Sequence, residues 1–355
     1  GNHMGGGHPS THCLPGALAI AEEIGASGQQ FMESVIVGYE IQSRLGGATV
    51  LRNNVHPHGL WGTIGTAVAV GKLRGYKSSQ IRELINLAAS MSPANTWTPC
   101  FEGGTIRNVY PGRSGLQGIL ATHLYECGYT GIKDGPSDIL NYIVADSFDS
   151  ELAVKGLGKD YRIQHNYFKF HACCRLNHPA VDAALELRNK ETFNIEQIKA
   201  IDVTTLWHPE PMEGQSPGNM LGAKFSIPYS VATALVRGNA NLESFYPAAL
   251  KDIRINDLAS KVHVNVDSTM AWLKYDNPTA KISVQLEDGR VLSEVTNIPS
   301  GDPANPTPRR QQLLDKFASI TKDLLDKESS KQTIGAVDRL DQLTDVRELT
   351  SLVGG

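Results

Sequence analysis

Strand-forming segments are confined to one part of this 355-residue chain. Up to about residue 160, apolar residues recur at helical spacing and glycine-rich turns punctuate them; beyond it, β-branched runs appear for the first time. A single change of texture, in a length typical of about two domains, predicts a helical body followed by an α+β body. The change falls beside Tyr167-Phe-Lys-Phe-His-Ala-Cys-Cys-Arg-Leu-Asn-His-Pro-Ala-Val-Asp182, the richest polar cluster in the chain. Domain seams favour small-molecule sites, so this stretch is expected to form a site wall.

Helices are predicted over 14–24, 31–45, 60–73, 81–91, 118–128 and 138–145. Pro15 falls in the first turn of the first, where a missing N–H is harmless, and Gly25-Ala-Ser-Gly28 stops it. The third carries Gly62, Gly65, Ala67, Ala69 and Gly71, small residues that let backbones approach and bury it between neighbours. Short connections make this half a helical bundle. Downstream, Asn177 reads as an N-cap with Pro179 in the first turn of a helix reaching about residue 188. Another helix is expected over 226–237. Strands are expected over 198–206, 262–266, 280–286 and 290–296, the last two flanking the hairpin signal Asp288-Gly289. The expected fold is therefore an all-helical bundle domain with a smaller α+β domain containing a mostly antiparallel sheet. Residues 300–308, with three prolines, read as a linker, and helices over 309–325 and 336–352 as packing back on the bundle. The helical domain is thus expected over 8–160 completed by 309–355, and the α+β domain over 161–308.

A net charge of −4 gives no basic field for nucleic acid or anionic membrane. No apolar run approaches the ~20 residues of a membrane span. Five cysteines, an odd number without a C-x2-C pair, favour reduced thiols and a cytoplasmic location. Gly1-Asn-His-Met4 resembles an expression scar, and no secretory signal is visible.

Each polar motif has a functional and a plain reading. His8 precedes the first helix, where it could meet an anion or move a proton; it could equally be a mobile tag-adjacent residue. Asn53-Asn-Val-His-Pro-His-Gly-Leu-Trp-Gly62 opens the small-residue helix, and His56 and His58 beside its first N–H groups suit a carboxylate. The same H-x-H could ligate metal, as a metallohydrolase would require, but no local carboxylate or Cys accompanies it; a structural turn is the plain reading. Glu102-Gly-Gly-Thr-Ile-Arg-Asn-Val-Tyr-Pro-Gly-Arg-Ser-Gly115 lacks the phosphate-loop pattern, whereas Arg107 and Arg113 suit carboxylate clamping or a solvated loop. Cys173-Cys174 do not match zinc spacing. Lys169 between two Phe could become a proton-transfer group or simply extend its charge to water. Tyr229, in Ala223-Lys-Phe-Ser-Ile-Pro-Tyr-Ser-Val-Ala232, could donate to a leaving group or serve as a core aromatic.

Taken together these segments resemble the MmgE/PrpD family, which includes 2-methylcitrate dehydratase, cis-aconitate decarboxylase and iminodisuccinate epimerase. The matching pieces run in family order: His8-Pro-Ser with Leu14-Pro15; Gly38-Tyr-Glu with Arg44-Leu-Gly; His56-Pro-x-Gly-x-Trp-Gly; Gly112-Arg; Gly128-Tyr-Thr-Gly131; the 167–182 stretch; Ala223-Lys-Phe-Ser-Ile-Pro-Tyr; and Gly301-Asp-Pro-Ala-Asn-Pro306 before Lys316-Phe317. The resemblance implies a helical domain plus a smaller α+β domain, a homodimer, and chemistry on small di- or tricarboxylates without metal or cofactor. By position it implies that His8, His56, Lys169 and Tyr229 belong to the active site. Two departures stand out. The family's upstream helices and its Asp-Asp-Thr segment give way here to His3-Met-Gly-Gly-Gly7, so the bundle is expected to be incomplete; an organellar leader would lie in that same upstream region. Counting back from Gly128, the lysine of decarboxylase-type members falls on Leu116, with Arg113 one helical turn earlier.

The expected activity is that of a lyase: removal of water from a citrate-like hydroxy acid. Lys169 and His56 are expected to transfer protons, Tyr229 to donate at the leaving group, and His8, Arg113 and Arg175 to bind carboxylates. Epimerisation or decarboxylation of the same class of substrate, or a catalytically inactive truncated homologue, are the alternatives.

Overall fold

A computed structural model describes residues 1–270, 279–305 and 309–354. The chain divides into two compact units, one of Gly1–Trp97, Ile106–Asn166 and Ala318–Gly355, the other of Thr98–Thr105 and Tyr167–Phe317.

The first unit is built on helices α1 (Ser10–Ile24), α2 (Gly28–Gly47), α3 (Leu60–Leu73) and α4 (Ser78–Ser90). A short α5 (Thr98–Glu102) belongs to the second unit, and the first resumes with α6 (Tyr110–Glu126). Helix α1 starts four residues before its predicted start, which puts Pro15 in its interior. It ends at Gly25, whose left-handed backbone (φ 63°) returns its N–H to the last turn. A capping box between Ser27 and Gln30 opens α2.

The small residues of α3 act as its composition predicts. Leu60 to Gly71 are all buried, and α1, α2, α4 and α6 all pack against it. The approach leaves no room for side chains: a Cβ on Gly38 of α2 would lie 2.5 Å from the Gly65 carbonyl oxygen, and one on Gly62 would run into His12. Thr66 sits between Gly16 of α1 and Gly118 of α6. His12 against Gly62 and Gly16 against Thr66 pair the third and seventh residues of α1 and α3, so these helices run parallel with their starts side by side. Gly118, nine residues into α6, meets the same Thr66 and brings in a third start.

This unit is not all-helical. After α7 (Gly135–Ile139) the chain makes a π-type turn and enters a strand, where the sequence reading expects helix to 145. Strands β1 (Thr49–Leu51) and β2 (Ala145–Phe148) form an antiparallel ribbon, followed by α8 (Ser150–Val154). Buried Arg44 of α2 pairs with Glu40 and donates to the carbonyls of Lys155 and Asp160, fixing the return of the chain.

The second unit holds α9 (His178–Lys190), β3 (Ile198–Thr205), α10 (Met220–Phe225), α11 (Ile227–Arg237), α12 (Pro247–Leu250), α13 (Ile253–Ala259), β4 (Val262–Val266), β5 (Ala280–Leu286) and β6 (Val291–Thr296). The strand order is β4-β3-β5-β6. Two pairings are antiparallel, but β3 and β4 run parallel, so the sheet is mixed. A register shift near Ile198 breaks the alternation of β3 and keeps Ile198, Ile201 and Val203 all facing inward. Burying each such side chain contributes about 1.5–3 kcal/mol. Ser226 caps α11 by accepting from the Tyr229 N–H at 3.0 Å, which accommodates Pro228 in the first turn. Asn177 stands at the N-cap of α9 as expected, but its side chain makes no capping bond to the helix. Its side chain donates instead to the Ser226 carbonyl and the Ser230 hydroxyl, tying α9 to α11.

The C-terminal helices are α14 (Arg309–Thr321), α15 (Lys327–Asp338) and α16 (Arg347–Val353). The single helix expected over 336–352 is broken after Asp338. There the backbone joins the α1–α2 corner through Gly28 N–H to Leu343 O and Val346 N–H to Ala26 O, both 2.8 Å. The end of the expected linker, Pro306 to Pro308, lies outside the described residues. No helix among the described residues is long and apolar enough to cross a membrane.

Candidate active site

In the helical unit, the adjoining starts of α1, α3 and α6 gather four histidines. His58 is the hub: its ring centroid lies 4.5 Å from His56, 4.9 Å from His8 and 5.3 Å from His12. The His56 ring also rests on Trp97, at 4.1 Å, and meets the edge of Tyr110 at 5.7 Å. The loop carrying His56 and His58 is clamped by residues 95–97. His56 N–H donates to Asn95 O, Trp97 N–H to Asn54 O, and the Asn95 amide to His58 O. Arg113 in turn donates to Asn95 Oδ1. His8 and Arg113 thus join His56 around one clamped loop.

Hydrogen bonding fixes the protons. The His58 N–H points at His56 Nδ1, 2.9 Å away, so Nδ1 must accept and the neutral ring carries its proton on Nε2. That Nε2 is buried and makes no hydrogen bond among the described residues. Ser114 donates its hydroxyl proton to Pro111 O and so accepts from His12 Nδ1 at 2.7 Å. Burial, followed by the charge of Arg107, pushes His12 from 6.5 down to about 3. Burial, then Arg107, then His12 lower His56 to about 3. His58 is held well below its usual value by burial, then by His56, His8, His12 and Arg107. The positive ends of three helices act in the same direction. These imidazoles are therefore neutral near pH 7, and His56 is a hydrogen-bond donor rather than a cation or a base.

In the α+β unit, the 167–182 stretch is pinned to the 300–302 loop. Phe168 N–H donates to Gly301 O at 2.8 Å, and Lys316 donates to the Lys169 carbonyl. Arg175 is 4% exposed. Its guanidinium donates to Ser300 O, faces Asp302 at 3.5 Å, and lies 4.5 Å over the Tyr167 ring. His171 contacts Asp182 at 2.6 Å. Burial lowers Lys224 and Lys316, and pushes the Cys173 thiol up to about 12, which keeps it protonated. Among the described residues, no group of three or more His, Cys, Asp or Glu is arranged to hold a metal ion.

Sequence comparisons match both halves of the chain: residues 3–140 to the MmgE/PrpD N-terminal domain and 171–342 to the MmgE/PrpD C-terminal domain. The chain belongs to the MmgE/PrpD family. It is 24% identical to the cis-aconitate decarboxylase-like protein oryM of Aspergillus oryzae, over 98% of this chain and 77% of that one. It is also 24% identical to cis-aconitate decarboxylase of Aspergillus terreus (98% and 76% covered) and 25% identical to that of Mus musculus (98% and 74%).

Within this MmgE/PrpD chain, the expected site residues fall in both units. His8, His56 and Arg113 cluster in the first; Lys169, Arg175 and Tyr229 lie in the second. Two of them have structural work. Arg175 is committed to the 300–302 loop, and Tyr229 is fully buried beside Phe245, its hydroxyl donating to Ser244 O at 3.1 Å. Leu116 is exposed on α6, and the cation coupled to the histidines is Arg107. His12 is hidden from a reading that begins the first helix at residue 14; with α1 beginning at Ser10, His12 lies one turn after His8.

Proposed function

We propose that this protein is a lyase acting on a small di- or tricarboxylate, with dehydration of a citrate-like hydroxy acid as its reaction. The observation that carries the reading is the His56 Nε2–H, a neutral buried donor where three helix starts adjoin. Removing a proton α to a carboxylate loads negative charge onto that carboxylate. A preorganised neutral donor meets such charge without first shedding water, and one donor of this kind is worth about 3 kcal/mol in an oxyanion site. In this reading His8, Arg107 and Arg113 attract substrate carboxylates; within the α+β unit, Lys169 is a carboxylate-binding cation in its own right. Arg175 shapes the loop beside Lys169. Tyr229 has no chemical role.

Decarboxylation is the second reading, supported by the cis-aconitate decarboxylases among the relatives and by Arg107, a cation that acts on His56. It develops charge on the same carboxylate oxygens. Incubation with citrate, 2-methylcitrate and cis-aconitate in deuterated buffer separates the outcomes. New conjugated-alkene absorbance supports dehydration, released carbon dioxide supports decarboxylation, and deuterium in recovered substrate alone supports epimerisation. Thermal-shift binding without any of these supports an inactive homologue and ends the lyase reading. We carry a homodimer as part of the proposal, to be checked by sedimentation.

A further inference from the structure

His171 is absorbed by none of the roles above, and its surroundings are built. Its Nε2 lies 2.6 Å from Asp182 Oδ1, in a partly buried pair with side chains 12% and 17% exposed. A carboxylate only accepts, so Nε2 carries a proton, and in the neutral ring Nδ1 holds the lone pair. Nδ1 makes no hydrogen bond among the described residues. Asp182 is itself locked: Ser300 N–H donates to Oδ2 at 2.7 Å and Ser300 Oγ to Oδ1 at 2.9 Å. Ser300 is held from its other side by Arg175. An imidazole whose far nitrogen faces a fixed carboxylate is oriented for proton abstraction, and the carboxylate stabilises the imidazolium that results.

The neighbouring groups fit that task. The His178 ring lies 4.9 Å away. Its Nδ1 faces an Arg175 N–H, so its own proton sits on Nε2, and burial keeps the ring neutral. It therefore cannot compete for a proton. Lys169, Lys316 and Arg175 supply positive charge around His178. Cys173, the nearby thiol, stays protonated.

We infer that His171 is the general base of this protein's reaction, with Asp182 as its positioning residue and Ser300 holding Asp182. The inference rests on the lyase reading. His171 Nδ1 takes the proton from the carbon α to a substrate carboxylate. The C–H electron pair becomes the second bond of the alkene as the C–O bond to the β-hydroxyl breaks. The departing hydroxide takes one proton from solvent and leaves as water, and His171 returns its own proton to solvent, so the cycle closes.

The test compares wild type, His171→Gln and Asp182→Asn on citrate and 2-methylcitrate. General-base loss is worth about 10²–10⁴-fold. His171→Gln is expected to lower kcat by at least about 100-fold with KM and Tm near wild type. Asp182→Asn is expected to lower kcat and move the acidic limb of the kcat/KM profile to lower pH, because the imidazolium loses its counter-charge. A merely structural pair would lower Tm and leave kcat and the pH profile in place, which overturns the inference while sparing the lyase reading. If wild type turns over neither acid, the dehydration reading falls and the catalytic role with it. Nitrogen-15 imidazole spectra decide the geometry without activity: a proton on Nδ1 of His171 overturns the assignment outright.

Discussion

His56 and Tyr229 show how burial can mean opposite things for two polar side chains. Tyr229 has satisfied its one donor on a core carbonyl. His56 has spent its acceptor on the neighbouring N–H and keeps a donor in hand. Replacing His56 by Ala is expected to cost ~10²–10³ in kcat. His56→Gln can place an amide N–H near the lost Nε2 and should recover about tenfold of that loss; equal activity of the two variants in steady-state assays would remove the donor role. Tyr229→Phe should leave kcat unchanged while costing about 1–3 kcal/mol in a urea melt, the penalty for an orphaned buried carbonyl. A large fall in kcat at unchanged stability would return Tyr229 to the leaving group. At this scale the sequence was only half legible. The polar motifs were visible, but which nitrogen faces which partner depends on tertiary contacts. The pairs His12–Ser114 and Arg175–Ser300 span 102 and 125 residues.

At the scale of elements, the neutral histidines tie the stability of α1, α3 and α6 to pH. Their folded values lie below 6.5, so the unfolded chain binds the extra protons between 6.5 and about 3. The stabilisation is complete above that window and is lost as pH falls through it, at up to about 1.4 kcal/mol per pH unit for each histidine. Urea melts at about pH 7 and pH 5 should show this loss, and His12→Gln should reduce the slope; a stability independent of pH across the window would contradict it. Two glycines of the same helices should respond in opposite ways. Gly38→Ala pushes a methyl against the backbone of α3 and should cost about 1–3 kcal/mol. Gly112→Ala, at an exposed position of α6 with nothing within 4 Å, should gain up to about 1 kcal/mol by thermal melt. The composition of α3 announced its burial because small residues have one obvious use in a helix interior. The three-residue β1 and four-residue β2 left no periodicity to read, and the parallel pairing of β3 with β4 is set by a chain excursion of more than fifty residues.

For the whole molecule, the order of textures was legible: helices first, the four-stranded sheet in the second unit, helices again at the end. The exchange of segments was not. Residues 98–105 belong to the second unit although their neighbours on both sides belong to the first. In that excursion Asn219 donates to the Glu102 carbonyl, and Phe101 packs edge-on to Phe225. Each partner lies more than a hundred residues away, beyond the reach of any local pattern. The break after Asp338 has the same cause, since only the distant α1–α2 corner explains why helix stops there.

That corner governs how the chain must assemble. The backbone of Ala26 and Gly28 waits for Val346 and Leu343, so the unit begun first on the ribosome is completed last. Closing so long a loop is entropically slow, and the early helices must persist without their final partner during synthesis. The second unit has no such debt, because everything it needs has emerged by Phe317. Truncation after residue 317 should therefore expose the α1–α2 corner to amide exchange while β3 and β5 keep their protection, and equal loss in both would show that the two units fold as one.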